Sequence, residues 1–409
     1  MMSRQPTACR SCGYAQLQEV LSLGCTPLAN ALLTAEQLKQ PEDTYPLELV
    51  FCSQCSLVQL TESVSPEKLF REYLYFSSFS DTMLQHASEL CSQLIGSRDL
   101  GAESLVVEVA SNDGYLLQYY KRAGVPVLGI EPATNIALAA EQRGIRTVCD
   151  FFDERLAQSL VGEGYQADVI HAHNVLAHVP DLNGFVSGLR ELLKDDGVIV
   201  VEVPYVKDMI DASEFDTVYH EHLSYFSLTA LNDLFTRNGL TIQRVERLTI
   251  HGGTLRVYAG RDAMQDQSVV RLLSEERTWG ATDISFYNGF GERVEHLRTE
   301  LVALLRKLKA DDKRIAVYGA SAKGSTLLNY CDLGAETLDY VVDRSTVKQG
   351  RYTPGSHLQI YAPEKLLEDM PDYVLLLTWN FAAEILEQQS EYRARGGRFI
   401  VPVPSVRVL

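Results

Sequence analysis

Two pairs of cysteines open the chain, Cys9-x-x-Cys12-Gly13 and, after a spacer of 39 residues, Cys52-x-x-Cys55. Thiolates three positions apart in a tight turn can share one metal, and Gly13 lets the backbone fold beneath it. Two such pairs close a tetrahedral zinc site and leave no position for water, which is the arrangement of a structural ion. The remaining cysteines, Cys25, Cys91, Cys149 and Cys331, lack that spacing and read as small core residues. Eight cysteines are too few for a disulfide scaffold in 409 residues.

A second concentration of chemistry begins at Leu105-Val-Val-Glu108-Val-Ala110-Ser-Asn112-Asp113-Gly114, a buried strand running into a turn and then a helix. Such a turn presents backbone amides to a ligand, and Gly114 removes a side chain where approach would be closest. A dinucleotide site calls for G-x-G-x-x-G, so that a pyrophosphate can sit on the helix N-terminus. Here a single glycine follows acidic Asp113, which disfavours a diphosphate and suits the cationic S-adenosylmethionine. The next strand ends at Glu131, the usual place for an acid that grips ribose hydroxyls. The third ends near Asp150-Phe151-Phe152, an acid beside aromatics fit for an adenine edge and face. One acid after a strand is often only a helix cap; three at successive strand ends form a pattern.

Six of the nine histidines fall in three loops: His171, His173 and His178; His220 and His222; and His251. Imidazole titrates near neutrality and can take a moderately acidic proton, while a phenol or a second imidazole stabilises the resulting oxyanion. Any one of them could equally be a hydrogen-bonded structural residue. A zinc site at His220 and His222 lacks a third ligand. Further on, Gly319-Ala-Ser321-Ala-Lys323-Gly324 opens a helix with amides and a lysine, which fits an anionic diphosphate.

These residues must be carried by alternating elements. Between Glu103 and Gly260, β-branched runs at Leu105–Val109, Val127–Ile130, Arg146–Val148, Ala167–Ala172, Val198–Val203, Leu240–Leu248 and Thr254–Ala259 alternate with amphipathic stretches. Five strand–helix units followed by two consecutive strands match the seven-stranded sheet of class I methyltransferases. Asp283–Leu308 carries one apolar stripe and reads as a long helix. A second α/β unit follows, with strands at Arg314–Tyr318, Leu338–Val342, Val374–Thr378 and Phe399–Val401. The expected fold is α/β: a zinc-binding module (1–80), a methyltransferase domain (81–265), and a helical linker with a C-terminal Rossmann-like domain (266–409).

In order and over essentially the whole chain, these motifs resemble the sugar C-methyltransferases, which methylate C3 of a nucleotide-linked 4-keto-deoxyhexose. The resemblance runs through the four cysteines, Glu108–Gly114, Asn174–Pro180, Tyr219-His-Glu221-His222, His251-Gly-Gly, Tyr318–Gly324 and Arg351-Tyr-Thr-Pro354-Gly355-Ser-His357. It implies an active site between the domains, with Glu108, Ala110, Asn112, Gly114, Glu131, Asp150, Phe151 and Asn174 facing S-adenosylmethionine. Ala110 stands where many methyltransferases have glycine. It further implies His222 as base, oriented by Glu221, with Tyr219, His178 or an N-terminal tyrosine (Tyr75, with Tyr73 the alternative) at the oxyanion. Ser321, Lys323, Arg351 and His357 would frame the sugar nucleotide.

Three other functions compete. O- or N-methylation, or C-methylation of another small ketone, uses the same cofactor loop, although an amine has less need of the histidines. A nicotinamide-dependent oxidoreductase would want G-x-G-x-x-G, which is not found. A zinc-ribbon nucleic-acid modifier is disfavoured by 37 basic against 54 acidic residues, a net −17. No apolar run reaches membrane-spanning length and the N-terminus has no signal-peptide core, so a cytoplasmic protein without membrane partners is expected.

Overall fold

The computed structural model describes residues 8–70, 76–261 and 264–409. Both cysteine knuckles are built alike. The residue after the second cysteine turns left-handed, Gly13 at φ 78° and Ser56 at φ 59°. Its amide donates to the carbonyl of the first cysteine, at 2.9 and 2.8 Å. The second knuckle is the turn between β2 (Thr44–Cys52) and β3 (Val58–Leu60), and β2 also pairs antiparallel with the 11-residue β1 (Leu17–Pro27). The sequence suggests only short, turn-rich pieces here. Register shifts at Glu19/Leu21 and Ser22/Cys25 interrupt the alternation that would mark so long a strand.

The central sheet begins with five parallel strands: β4 (Val106–Val109), β5 (Val127–Ile130), β6 (Thr147–Val148), β7 (Ala167–His173) and β8 (Leu193–Pro204). The short β9 (Ser224–Tyr225) leaves that sheet and becomes the fourth strand of the N-terminal one, pairing with β3. The chain then returns as β10 (Thr241–Leu248) and β11 (Thr254–Gly260), with β11 antiparallel to β8. The order β10-β11-β8-β7-β4-β5-β6 is the expected class I methyltransferase sheet. It reverses between β4 and β7, where α/β folds bind ligands. Val198–Val203 is buried throughout, as a central strand covered on both faces must be. Its one acid, Glu202, accepts from Arg256 Nε at 2.6 Å and lies 2.9 Å from His86 Nε2 and 3.8 Å from His173 Nδ1; burial works to raise its carboxyl, but His173, the His86 hydrogen bond and Arg256 together hold it far below the usual range.

The apolar stripe expected on one helix is carried by two. Asn288 and Gly289 (φ 78°) break it into Ile284–Tyr287 and Phe290–Ala310. Beyond lie β12 (Ile315–Tyr318), β13 (Val341–Val342), β14 (Ile360–Tyr361), β15 (Tyr373–Leu376), β16 (Arg398–Val401) and β17 (Arg407–Val408). Their order β14-β13-β12-β15-β16-β17, parallel except for β17, is that of a dinucleotide-binding sheet and has its own reversal between β12 and β15. No helix among the described residues is long and apolar enough to cross a membrane.

Candidate active site

β4 ends in a loop whose Ala110 (φ 55°) and Asn112 (φ 49°) both lie in the left-handed region. Strain of this kind, roughly 1 kcal/mol or more per residue, persists only where the surroundings enforce it. Here the enforcement comes from the tip of β5. Glu131 accepts the amides of Asn112 (3.0 Å) and Ala133 (2.9 Å) on its two carboxylate oxygens. Asn112 Oδ1 in turn accepts the amide of Ser77 at 2.9 Å, and Asp113 pairs with Arg143 Nη1 at 2.7 Å. The loop thus gathers three acids, Glu108, Asp113 and Glu131, all buried. Burial, and then the neighbouring acids, push Glu108 well up; burial likewise raises Glu131 to about 7.

A cavity of about 670 Å³ opens over this loop and is lined by Ala110, Asn112, Glu131, Asp150, Phe151 and Asn174. Two residues expected at the cofactor do not line it. Gly114 is needed for packing, because a Cβ there would sit 2.8 Å from Ile145 Cγ1. Glu108 lies at 1% exposure, with Oε2 unpaired among the described residues. Glu131 and Asp150 bring acids to the lining beside the aromatic Phe151 and Phe152, a set that fits a cationic nucleoside such as S-adenosylmethionine.

The same cavity receives the imidazoles. His222 follows a 3₁₀ turn (Phe215–Thr217), and its Nδ1 lies 3.2 Å from the Thr217 carbonyl. Only an N–H can bond a carbonyl, so Nε2 carries the lone pair and meets the Tyr219 hydroxyl at 2.7 Å. This corrects the expectation that Glu221 orients the ring. The Glu221 carboxylate instead accepts from Asn30 Nδ2 at 2.7 Å. His178 packs edge-on to His222, with ring centroids 4.8 Å apart. Its Nδ1 is enclosed without a partner among the described residues, and desolvation holds the ring down at about 4, neutral at physiological pH. Tyr73 and Tyr75 lie outside the described residues. His171 is a structural histidine, fully buried between the Tyr120 hydroxyl (2.9 Å) and His173 (3.0 Å).

From the opposite side the C-terminal sheet contributes its own reversal point. Ser321 caps the helix Ala322–Tyr330 by accepting the Gly324 amide at 3.0 Å. Gly319 and Gly324 serve packing, since a Cβ on either would come within 2.7 Å of Thr378 or Leu377. Ser321 and Lys323 line the cavity, as do Asp343, Lys348 and Asn380. Lys323 Nζ is 3.8 Å from Glu214 and lies 4.7 Å over the Trp379 ring, and none of its N–H groups is spent on a described hydrogen-bond acceptor. Arg351 and His357 do not line the cavity, contrary to expectation. His357 is committed to Glu42 of the N-terminal hairpin, where it helps join the two units.

The four cysteine sulfurs lie within 4.8 Å of one another, with Cys9–Cys55 and Cys12–Cys52 each 3.5 Å apart. Tetrahedral zinc–thiolate bonds of about 2.3 Å imply sulfur spacings near 3.8 Å, so the four-thiol donor set fits zinc.

Thr217 and Asn30 line the cavity but carry no motif. Thr217 acts on His222 through its main chain, which any residue type would supply. Asn30 reaches Glu221 across 191 positions of sequence.

Comparison with known proteins matches three family models to the chain. They are a zinc binding domain over residues 9–70, a methyltransferase domain over 83–245, and a "C-methyltransferase C-terminal domain" over 249–404. C-methyltransferase NovU of Streptomyces niveus is 38% identical over 407 residues, covering 98% of this chain and 96% of that protein. A ubiquinone biosynthesis O-methyltransferase of Bartonella tribocorum is 28% identical over 97 residues, 24% of this chain and 39% of that one. Among solved structures, magnesium protoporphyrin IX methyltransferase of Synechocystis PCC 6803 with bound SAM aligns at 16% identity. It covers 44% of this chain and 79% of that one, with a TM-score of 0.34.

Proposed function

The chain belongs to the C-methyltransferase family and is a methyltransferase dependent on S-adenosylmethionine, and from that premise we propose that it methylates C3 of a nucleotide-linked 4-keto-deoxysugar. The observation that carries this reading is that one cavity is walled by the acidic loop of β4, the His178–His222 pair and the Lys323 loop. The proposed division of labour follows the units 1–80, 81–265 and 266–409: zinc-held module, methyl-transfer domain and sugar-nucleotide-binding domain.

A 4-keto group acidifies the hydrogens on the adjacent carbons, so the chain needs a base and a partner for the enolate oxygen. His222 takes the C3 proton on Nε2, and the Thr217 carbonyl, bonded to Nδ1–H, steadies the imidazolium that forms. Tyr219 turns its hydroxyl from Nε2 to the ketone oxygen as the substrate enters. His178, held neutral by burial, donates to that oxygen without competing for the proton. Bound S-adenosylmethionine supplies an activated methyl group on a sulfonium. Glu131 would hold the ribose, Asp150 and Phe151 the adenine, and Ala110, Asn112 and Asn174 the methionine end. The proton taken up by His222 leaves to solvent. Lys323 meets the diphosphate, with Ser321 beside it.

The test is incubation with 4-keto nucleotide sugars in deuterated water, first without the methyl donor. Deuterium entering C3 and a product methylated there are the expected results. Exchange at the other carbon flanking the ketone would move the assignment to that carbon, and methylation at oxygen would refute the enolate. Full turnover by His222→Ala with both ligands bound would overturn the choice of base.

A further inference from the structure

We propose that Glu214 takes up a proton as the substrate's diphosphate reaches Lys323, so that this carboxyl sets how tightly the cavity holds an anionic sugar nucleotide. The inference rests on the functional reading above, in which Lys323 meets the diphosphate. Lys323 lines the cavity, whereas Glu214 and Asp216 do not. The ammonium is enclosed, 3.8 Å from Glu214 Oε2 and 4.7 Å over the Trp379 ring, with no hydrogen-bond acceptor among the described residues. Asp216 is fully buried and accepts from Trp379 Nε1 at 2.6 Å. Lys323 counters the charge on both acids. Two buried carboxyls thus share one cation, and phosphates in the cavity become a third claimant on it.

Glu214 has little room to withdraw. Its carboxylate packs on the backbone of Gly252, where a Cβ would sit 2.5 Å from Oε2 and 2.7 Å from Oε1. Its amide donates to the Met209 carbonyl of the helix Val206–Asp211 at 2.9 Å, which fixes the main chain as well. The charged groups that face it are Lys323 on the helix Ala322–Tyr330, Asp216 on the 3₁₀ turn that follows it, and Asp208 on the helix before it. Burial raises the Glu214 carboxyl most, Lys323 opposes that rise, and the two acids add to it, which leaves the group at about 8. A phosphate arriving at Lys323 has the sign of those acids and engages the cation that opposes them, so it pushes the carboxyl further up. The proton comes from solvent. A sugar without phosphates brings no such charge and draws no proton.

The assay is titration calorimetry of the full chain with thymidine-, cytidine- and guanosine-diphosphate glucose, in two buffers of different ionisation enthalpy. The diphosphate of these probes keeps a fixed charge from pH 7 to 8.5, so it contributes no proton of its own. For each probe that binds, the expected uptake is about 0.1 proton at pH 7 and about 0.8 at pH 8.5, with affinity about fourfold weaker at pH 8.5. Glu214→Gln, neutral at every pH, should bind at both pH values as the wild type does at pH 7 and take up no proton. The wild-type measurement decides by itself should that variant not fold. Affinity and proton count that are flat from pH 7 to 8.5 in the wild type, or a fourfold slope that survives in Glu214→Gln, would overturn the proposal alone. Binding of none of the three probes would overturn the functional reading and the proposal with it.

Discussion

Glu131 makes cofactor binding depend on pH in a way that can be worked out beforehand. Its carboxyl, raised to about 7 by burial, is half protonated at neutrality in the ligand-free protein. A ribose diol donates hydrogen bonds, and S-adenosylmethionine carries net positive charge, so both favour the ionised form. Binding below pH 7 must therefore expel a proton, and the apparent affinity falls by 1 + 10^(7−pH). That factor is about 11 at pH 6 and about 1.1 at pH 8, a tenfold difference worth about 1.4 kcal/mol. The other cavity imidazoles with resolved shifts, His173 and His178, are held at about 4 and stay neutral across this window. Titration calorimetry in two buffers of different ionisation enthalpy reads both quantities at once. It should show nearly one proton released per cofactor at pH 6, almost none at pH 8, and affinity tenfold tighter at pH 8. Glu131→Gln should bind more weakly at pH 8 and lose the slope. An affinity that is flat from pH 6 to 8 in the wild type, or a slope that survives in Glu131→Gln, would refute the reasoning. The same group affects stability with the opposite sense. Its folded value lies above the ordinary 4.5, so the stability it contributes is complete below that pH and is lost as pH rises through 7.

Removing one zinc ligand by Cys55→Ser should lower zinc content, measured by elemental analysis, and thermal stability together. It should also slow deuterium uptake, since β3 begins three residues beyond the knuckle and pairs with the strand next to His222. Gly129→Ala places a Cβ 2.5 Å from Ser111 Oγ and 3.1 Å from Thr147 Oγ1. Urea unfolding should show a loss of about 1–3 kcal/mol. Ala110→Gly relieves a left-handed alanine and should stabilise the ligand-free protein by up to about 1 kcal/mol in the same assay. Lys323→Ala should weaken sugar-nucleotide binding about tenfold or more, and unchanged affinity in a binding titration would remove the lysine from the diphosphate site.

Much of the central sheet can be read from the chain because β4, β5, β7, β11 and the core of β8 are short buried runs. The expected Val127–Ile130 coincides with β5, and β10 differs from expectation by one residue. The N-terminal hairpin is harder to see, since its bulged strand exposes polar residues such as Gln18, Glu19 and Ser22. The long helix is misread because hydrophobic spacing continues smoothly through Asn288-Gly289, whereas the backbone does not. At the site, residues announced by local pattern do converge: Glu131, Asp150, His178, Tyr219, His222, Ser321 and Lys323 face one cavity. What local pattern cannot convey is which neighbour claims a polar group. Glu221 adjoins His222 in sequence yet turns to Asn30, and His357 is drawn to Glu42. Both partners come from a hairpin far earlier in the chain.

Because Ser224–Tyr225 is hydrogen-bonded to Val58 and Gln59 and not to its own domain's sheet, the methyl-transfer unit is not a cassette that can be cut out. A fragment lacking the first eighty residues would leave that ribbon with a bare margin and its histidine loop unmoored, open to association with other chains. Chimeras designed to exchange sugar selectivity should accordingly carry the cysteine-rich hairpin and the histidine loop from one parent, and place their crossover later, in the helices that follow β11.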